Sequence, residues 1–341
     1  IKERLGYEPD EGYKRCDVLY LKDGRAINKT IMPYGNNYSR PSVTWCDVTR
    51  RKKEFKNLSF IRDASSSFRT DLLDVRRQYN VEISNVIITT PEDETSYNDG
   101  ALFIACCSDV TLSDVDIHGT YSQKNLSGYG VRVVNVHDLK VTRMYARAKW
   151  GVFGNYSINK ATLLNCDINR FDVHYYGKDI IMKGCKFSDL YNQFSSMCGY
   201  VIFVDCTFIN CTPFLNESSF NAFTQYDISF KRCSFYLDKT HNHLIALCDL
   251  PDKLNERPEL SKKYLPNIIV NNCRFVLGDD IIDWYIVNTG KIDFKGALDN
   301  NPSIMIKGFV NNNSEGILFS VFSDEIKMTK PCKIRQKLIS E

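Results

Sequence analysis

The sequence has no long apolar segment, little net charge and no cysteine motif with zinc-binding spacing. No uninterrupted apolar run reaches the roughly 20 residues that a membrane-spanning helix needs, which predicts no membrane span. The 44 Lys and Arg residues are scattered among 41 Asp and Glu residues, so the formal net charge of +3 predicts no nucleic-acid partner. The first residue is Ile1 rather than Met, which leaves room for a signal peptide or a further domain before it.

The 13 cysteines include no CxxC pair and no Cys/His cluster of zinc type. Five of them occupy one slot of a repeated phrase, which predicts a buried ladder of small apolar side chains. So many unpaired thiols argue against folding in an oxidising compartment. We expect no metal and no cofactor. Calcium stays open as an alternative, because Asp279, Asp280 and Asp283 approach a calcium site, although we interpret them as a solvated turn.

One six-residue phrase recurs along the chain, with apolar residues at positions one, four and six. A side chain that returns to the same slot indicates stacked structural units. The five copies from residue 163 onward carry Cys at position four, whereas the four earlier copies carry another apolar residue there. The copies begin at Phe55, Ile83, Leu112, Val141, Leu163, Met182, Phe203, Phe230 and Val270.

The spacing within the phrase predicts a bend between two short strands. Strict alternation would place apolar residues at odd positions only, so positions two and three form the bend. The two strands could pair as a hairpin, but recurrence favours parallel stacking of each copy on the next. The period of two and the abundance of β-branched and aromatic residues argue against a helical repeat. Asn or Asp, which tolerate left-handed backbone angles, often fill position three: Asn57, Asn85, Asp114, Asn165, Asp205 and Asn272.

These features resemble the right-handed parallel β-helix of the pectin-lyase-like superfamily, over about residues 50–325. The resemblance implies an all-β, single-stranded right-handed solenoid of about ten coils and a carbohydrate-active protein. Polysaccharide lyases, polygalacturonase-type hydrolases and phage tailspike depolymerases share this fold. The paired-Asp pattern of the polygalacturonases is absent, so no single family follows. A tailspike-like member would be a homotrimer at a cell surface or in a virion.

The repeat also predicts the organisation of the chain. Residues 1–50 lack the phrase and are expected to cap the first coil, with a short strand at 18–22 before the turn signal Asp23-Gly24. The β-helix occupies residues 51–325, and residues 326–341 form a basic tail or a closing segment. Coil lengths are 28 (55 to 83), 29, 29, 22, 19, 21, 27 and 40, then 24 if the next copy begins at Phe294. Because insertions build loops beside bare strands, the three short coils predict a groove near residues 149–195.

A third strand precedes the phrase in each coil, and alternation along it predicts which side chains face outward. We expect five side chains to point inward: Val131, Val133, Val152, Phe171 and Val173. We expect six to point outward: Arg132, Phe153, Asn155, Asp172, His174 and Tyr176. An acid two residues from a His on one strand face is a candidate acid/base pair. The structural alternative is a hydrogen-bonded surface ladder.

The catalytic candidates are Asp172, His174, Tyr176 and Glu217. Asp172 and Glu217 lie two coils apart at about 4.8 Å per coil, which fits the separation of about 5–10 Å between glycosidase carboxyls. A lyase would instead use His174 or Tyr176 as the base. The candidates for substrate binding are Arg132, Lys149, Phe153, Asn155, Arg170, Asn192, Gln193 and Ser195.

The sequence therefore predicts a protein that binds a polysaccharide partner and cleaves it, as a hydrolase or a lyase. The alternative is a non-catalytic glycan-binding or structural spike, such as a phage tail-fibre fragment. The unpaired thiols favour this alternative slightly, because virion proteins fold inside a reducing cytoplasm.

Overall fold

The computed structural model describes sixteen parts of the chain: residues 18–26, 28, 45–61, 71–89, 101–118, 130–147, 153–188, 192–194, 197–211, 213–215, 227–238, 243–247, 268–277, 285–288, 304–307 and 334–337. Strands and their connections account for all of them. No helix of sufficient length and apolarity to cross a membrane occurs in these residues.

From Lys53 onward the strands stack in parallel and form three runs, which we name the first, second and third sheets in chain order within a coil. The first sheet contains β4 (Leu73–Arg76), β6 (Leu102–Ala105), the starts of β8 (Val131–Thr142), β10 (Phe153–Leu164) and β12 (Phe171–Lys183), then β14 (Asn192–Phe194), β17 (Pro213–Leu215), β20 (His243–Leu247) and β23 (Tyr285–Asn288). The second contains the starts of β3 (Lys53–Ile61), β5 (Tyr79–Thr89) and β7 (Ser108–His118), the ends of β8, β10 and β12, then β15 (Val201–Val204), β18 (Ile228–Lys231), β21 (Ile268–Asn271), β24 (Ile304–Lys307) and β25 (Ile334–Lys337). The third contains the ends of β3, β5 and β7, then β9 (Tyr145–Ala146), β11 (Asp167–Ile168), β13 (Lys186–Ser188), β16 (Thr207–Ile209), β19 (Ser234–Leu237) and β22 (Arg274–Leu277).

The register of the second sheet confirms the repeat as a stack of parallel strands rather than a set of hairpins. Position one of each copy pairs with position one of the next, from Phe55 with Ile83 through to Phe230 with Val270. The eight coil lengths up to Val270 are therefore confirmed. The ninth is wrong, because Val270 pairs with Ile306 and not with Phe294. The described residues are thus an all-β solenoid.

The bend between the second and third sheets has the backbone that its residues predicted. Position three has a positive φ in nine successive copies, with values from 51° to 63°. Asn57, Asn85, Asp114, Asn165, Asp205 and Asn272 all adopt it, as predicted, together with Arg143, Gly184 and Arg232. The two arginines each donate two hydrogen bonds to the aspartate of the preceding coil, Asp114 and Asp205, at 2.6–2.7 Å. These pairs are half-exposed, so they offset only a small part of the cost that the left-handed backbone imposes on a non-glycine residue.

The core runs along the axis of the solenoid. Position four holds Val86, Val115 and Met144 and then the five-cysteine ladder: Cys166, Cys185, Cys206, Cys233 and Cys273, all buried. Each of these thiols donates to the carbonyl two residues before it, at 3.4–3.6 Å. Position six holds aromatic rings in the later coils, with the Phe208 and Phe235 rings stacked at 4.7 Å. The ladder is therefore a packing feature, as the sequence indicated.

The segment before the first coil contains one antiparallel hairpin. β1 (Leu21–Lys22) pairs with β2 (Arg25–Ala26), and the turn residues Asp23 and Gly24 both have positive φ, as a two-residue hairpin requires. The turn is confirmed, and the predicted strand is shorter than 18–22. The Tyr20 ring stacks on Tyr79 of β5 with a centroid distance of 4.3 Å, which joins this segment to the solenoid. Its role as a cap stays a prediction.

Burial and hydrogen bonds between successive thiols make three of the ladder thiols, Cys185, Cys206 and Cys233, poor nucleophiles. Cys185, Cys206 and Cys233 each have a pKa of about 12. In each case the hydrogen bond with the preceding thiol lowers the pKa, and the following thiol and burial together raise it by a larger amount. Burial raises the pKa of Cys107, at the corner before β7, to about 11. At neutral pH these groups are protonated, and the protonated thiol is the unreactive form.

We expect iodoacetamide at pH 8 to alkylate the exposed Cys46 and Cys106 within minutes and to leave Cys185, Cys206 and Cys233 unmodified. Peptide mass spectrometry of the native protein checks this, with the same treatment in urea as the control that alkylates every thiol. Fast native alkylation of Cys206 would contradict the buried ladder.

Candidate functional site

The three short coils lie where the sequence placed them. Leu163 pairs with Val141 on one side and with Met182 on the other, and Met182 pairs with Phe203. In the shortest coil only Asn169 and Arg170 connect β11 to β12. Among the described strands, this two-residue connection is the shortest from the third sheet to the first.

Buried polar residues concentrate at that corner. Among the described residues six polar or charged side chains are buried, and four of them lie between residues 169 and 188: Asn169, Arg170, Asp172 and Ser188. Arg170 and Asp172 form an ion pair, with Nη2 and Oδ2 2.6 Å apart and side chains 3% and 0% exposed. A charge-assisted bond of this length compensates part of the large cost of removing both charges from water.

The burial of Asp172 and Tyr176 corrects the prediction that both are exposed. Asp172 follows the core residue Phe171 and so lies on the outer side of β12, yet its side chain is fully buried. Tyr176 is 6% exposed and has a φ of 56°, because β12 turns there from the first sheet into the second. Arg170, a predicted substrate contact, is buried as well. In this arrangement Asp172 contacts Arg170 rather than solvent.

The prediction that Phe153 faces outward is wrong. Phe153 pairs with Val131 of β8 and with Phe171 of β12, both of them core residues, and its own side chain is fully buried. The Phe153 and Phe171 rings lie 5.3 Å apart within the core. The inward orientation of Val131, Val133, Phe171 and Val173 is confirmed.

Several predicted site residues have side chains that lie outside the described part of the structure. His174, Asn155, Asn192 and Gln193 lie within strands, but their side chains fall outside what the structure describes. The backbone of Asn155 pairs with Val133 and Val173, and the register then moves so that Tyr156 pairs with Tyr175. His174 is therefore the extra residue of a β-bulge. Lys149, Val152, Ser195, Glu217 and the possible calcium residues Asp279, Asp280 and Asp283 lie outside the described residues.

Among the predicted substrate contacts whose side chains are described, Arg132 is the one on an accessible surface. Its side chain is 32% exposed, and Nη2 donates to both carboxylate oxygens of Asp71, at 2.7 and 2.9 Å. The Arg132 guanidinium carbon lies 4.7 Å from the centroid of the Phe103 ring. Arg76 also lies 4.7 Å from that ring and donates to Asp74 at 2.6 and 2.7 Å. Two arginines, two aspartates and one ring form a cluster on the first sheet.

The sequence reasoning missed Phe103, Asp71, Asp74 and Arg76. Alternation within Leu102-Phe103-Ile104 would have found Phe103, because the residues on either side of it are in the core. Asp71 precedes its strand, and no pattern in the sequence predicts that it pairs with an arginine two coils away.

The register aligns this cluster with Asp172 in one row. Asp74, Phe103, Arg132, Gly154 and Asp172 pair in succession across five coils. Adjacent coils are about 4.8 Å apart, so the row repeats along the solenoid axis at that spacing. Asp172 is buried, but Asp74, Phe103 and Arg132 are at least partly exposed, so this part of the row can contact successive units of an elongated ligand.

Within the described part of the chain no group of three or more His, Cys, Asp or Glu side chains is placed to hold a metal ion. The prediction of no cofactor, with calcium as the alternative, therefore stays a prediction.

The parallel strands of the described residues are compatible with a β-helix. No protein-family model, no curated protein and no solved structure matches this chain.

Proposed function

We propose that this protein binds a polysaccharide along the outer side of the first sheet. The observation that carries the proposal is the Phe103–Arg132 cluster, since it is partly exposed and is aligned along the solenoid axis. Asp71 holds the Arg132 guanidinium in one orientation, so little side-chain entropy is lost when a ligand binds. A guanidinium offers several donors in fixed directions, which suits sugar hydroxyl and carboxylate oxygens.

We include in the proposal the right-handed coil, the count of about ten coils, the cap formed by residues 1–50 and kinship with the pectin-lyase-like superfamily.

Cleavage of the bound polysaccharide is the second candidate function, and the bulge at His174 favours it. β-Bulges are over-represented beside active sites, where they re-aim a side chain. His174 and Glu217 then stand as acid/base candidates, as a hydrolase or lyase requires. Asp172 is the weakest of the four catalytic candidates, because it is fully buried against Arg170.

The proposal is tested by affinity electrophoresis against a panel of acidic and neutral polysaccharides, with Arg132→Gln as the variant. We expect wild type to bind at least one polysaccharide and Arg132→Gln to bind it roughly tenfold more weakly, since a lost hydrogen bond from a charged group has about this effect. Arg232→Gln is the matched control: Arg232 is also paired with an aspartate, but it lies at the bend between the second and third sheets and not on the first sheet. Absence of binding by wild type, or equal weakening in both variants, overturns the proposal.

Product analysis in the same panel separates cleavage from binding alone. New reducing ends indicate a hydrolase, and absorbance from unsaturated ends indicates a lyase; loss of either in His174→Ala supports the bulge as part of the site. Binding without products supports the glycan-binding spike, for which we expect a homotrimer by light scattering and a location at a cell surface or in a virion.

A further inference from the structure

The third sheet carries an exposed tyrosine between two carboxylates. Tyr145 of β9 pairs with Asp116 of the preceding coil and Asp167 of the following coil. Its neighbour Ala146 is fully buried, so alternation places Tyr145 on the outer side, and its side chain is 39% exposed. The ring is therefore accessible, with an aspartate on each side at the coil spacing of about 4.8 Å.

The groups around this ring are held in defined positions. Arg147 donates to Asp167 through Nε and Nη2, at 2.8 and 2.6 Å, and this bond fixes both side chains. The His118 ring lies 5.5 Å from the Tyr145 ring, at an angle of 36°. Asp116 makes no hydrogen bond and no ion pair with other described residues. One flanking carboxylate is thus paired with a cation, whereas the other has no cationic partner among the described residues.

We propose that Tyr145 is a second sugar-binding position, specific for a neutral pyranose unit. The proposal rests on the proposed function, that is, on a polysaccharide as the ligand. The apolar face of a pyranose can pack on the tyrosine ring, Asp116 accepts a hydrogen bond from a sugar hydroxyl, and Arg147 donates one to a ring or hydroxyl oxygen. The charge of Asp116 repels a uronate carboxylate, which makes the position selective for neutral sugars.

This position is separate from the Phe103–Arg132 cluster. Arg132 lies on the first sheet and Tyr145 on the third, and the second sheet lies between them along the chain. Because the sheets are distinct faces of the coil, the two positions contact different segments of a long polysaccharide or two separate chains. Two moderate contacts on one protein raise the overall affinity for a long ligand far more than for a short one.

The chain contains a matched control for Tyr145. Tyr236 of β19 is also 39% exposed and lies on the same sheet. Its register partners are Ile209 and Val276, which have no polar side-chain atoms. A tyrosine of equal exposure whose register partners carry no carboxylate separates sugar recognition from adhesion to any exposed ring.

The experiment measures binding of one neutral and one acidic polysaccharide by wild type, Tyr145→Ala, Tyr236→Ala and Asp116→Asn. Circular dichroism confirms that each variant is folded. We expect Tyr145→Ala to weaken binding of the neutral polysaccharide roughly tenfold, by loss of the ring contact, and Tyr236→Ala to leave it unchanged. Asp116→Asn keeps one acceptor and removes the charge, so it should strengthen binding of the acidic polysaccharide.

Each outcome is decisive. If wild type binds the neutral polysaccharide and Tyr145→Ala binds equally well, or if Tyr236→Ala is weakened as much, the second position is overturned and the proposed function stands. If wild type binds no polysaccharide, both proposals fail. An unchanged affinity of Asp116→Asn for the acidic polysaccharide overturns the selectivity for neutral sugars.

Discussion

Replacing Asp172 with Ala should lower the free energy of unfolding by about 3–5 kcal/mol, because it leaves the Arg170 guanidinium buried without its carboxylate. Both side chains are almost entirely out of water, so the remaining charge cannot be rehydrated without opening the corner between β11 and β12. Urea unfolding followed by circular dichroism gives the change in midpoint and slope. We expect the midpoint to fall and the slope to stay the same.

A double variant separates loss of the ion pair from loss of packing. Arg170→Met combined with Asp172→Leu removes both charges and keeps most of the side-chain volume, and replacement of a buried pair by apolar residues is often close to neutral. We expect it to be clearly more stable than Asp172→Ala. Asp114→Ala is the surface control: it removes an aspartate that pairs with exposed Arg143, and it should change stability little.

The same variants test whether Asp172 acts in catalysis. If it were a catalytic acid, Asp172→Ala would keep the unfolding midpoint of wild type and lose polysaccharide cleavage. We expect the opposite, a large fall in stability. A double variant as unstable as Asp172→Ala would contradict the ion pair as the cause.

The sequence was sufficient to predict the register of the coils, and the reason is physical. Each coil contains one copy of the phrase, so one pairing rule covers every coil. The left-handed bend is recognisable in the sequence because Asn or Asp often occupies it. The rule fails after Val270, where no cysteine marks the next copy. Ile306 begins the next copy, and Phe309 instead of a cysteine occupies its position four. Phe294 is also an apolar residue that fits position one, so the sequence alone does not distinguish the two starting points.

Orientation on the first sheet was less predictable. Alternation gives the period of a strand but not its phase, and a shift of one residue exchanges the inner and outer faces. In Gly151-Val152-Phe153 either apolar residue could point inward from sequence alone, and pairing with Val131 and Phe171 selects Phe153.

Burial of Asp172 follows from tertiary packing rather than from its strand. Alternation correctly placed it on the side opposite Phe171, but alternation does not show what covers that side. The prediction that Tyr176 faces outward was wrong for another reason. The chain turns at Tyr176 with a positive φ, and the alternation of inner and outer side chains ends at that turn. Of the Phe103–Arg132 cluster the sequence predicted only Arg132, and the cluster lies in longer coils that precede the three short ones. The groove near residues 149–195 stays a prediction.

Replacing Phe208 with Ala should cost about 3–5 kcal/mol of unfolding free energy, the range for removal of a fully buried aromatic side chain. The Phe208 ring stacks on Phe187 at 5.2 Å and on Phe235 at 4.7 Å, along the axis of the solenoid. It also meets Phe203 and Phe230 edge-on, at 5.3 and 6.0 Å. Truncation removes four ring contacts and leaves a cavity that the rigid coils on either side cannot close.

Phe60→Ala is the matched control for this variant. Phe60 occupies position six in the first coil, the slot that Phe208 occupies six coils later, but it is only partly buried. Since part of its surface is already in water, less transfer free energy is lost on truncation, and we expect a clearly smaller fall in stability. Phe208→Leu should fall between the two, because it retains most of the apolar volume. A loss at Phe208 no larger than at Phe60 would contradict the aromatic stack as a main source of stability.

The effect of Phe208→Ala on binding follows from the one-dimensional architecture. In a solenoid each coil contacts only its neighbours, so the folded variant keeps the coils that carry Phe103 and Arg132 unchanged. We therefore expect Phe208→Ala to bind polysaccharide with wild-type affinity at a temperature where it is fully folded. A parallel loss of stability and affinity would show instead that packing around Phe208 positions the binding surface several coils away.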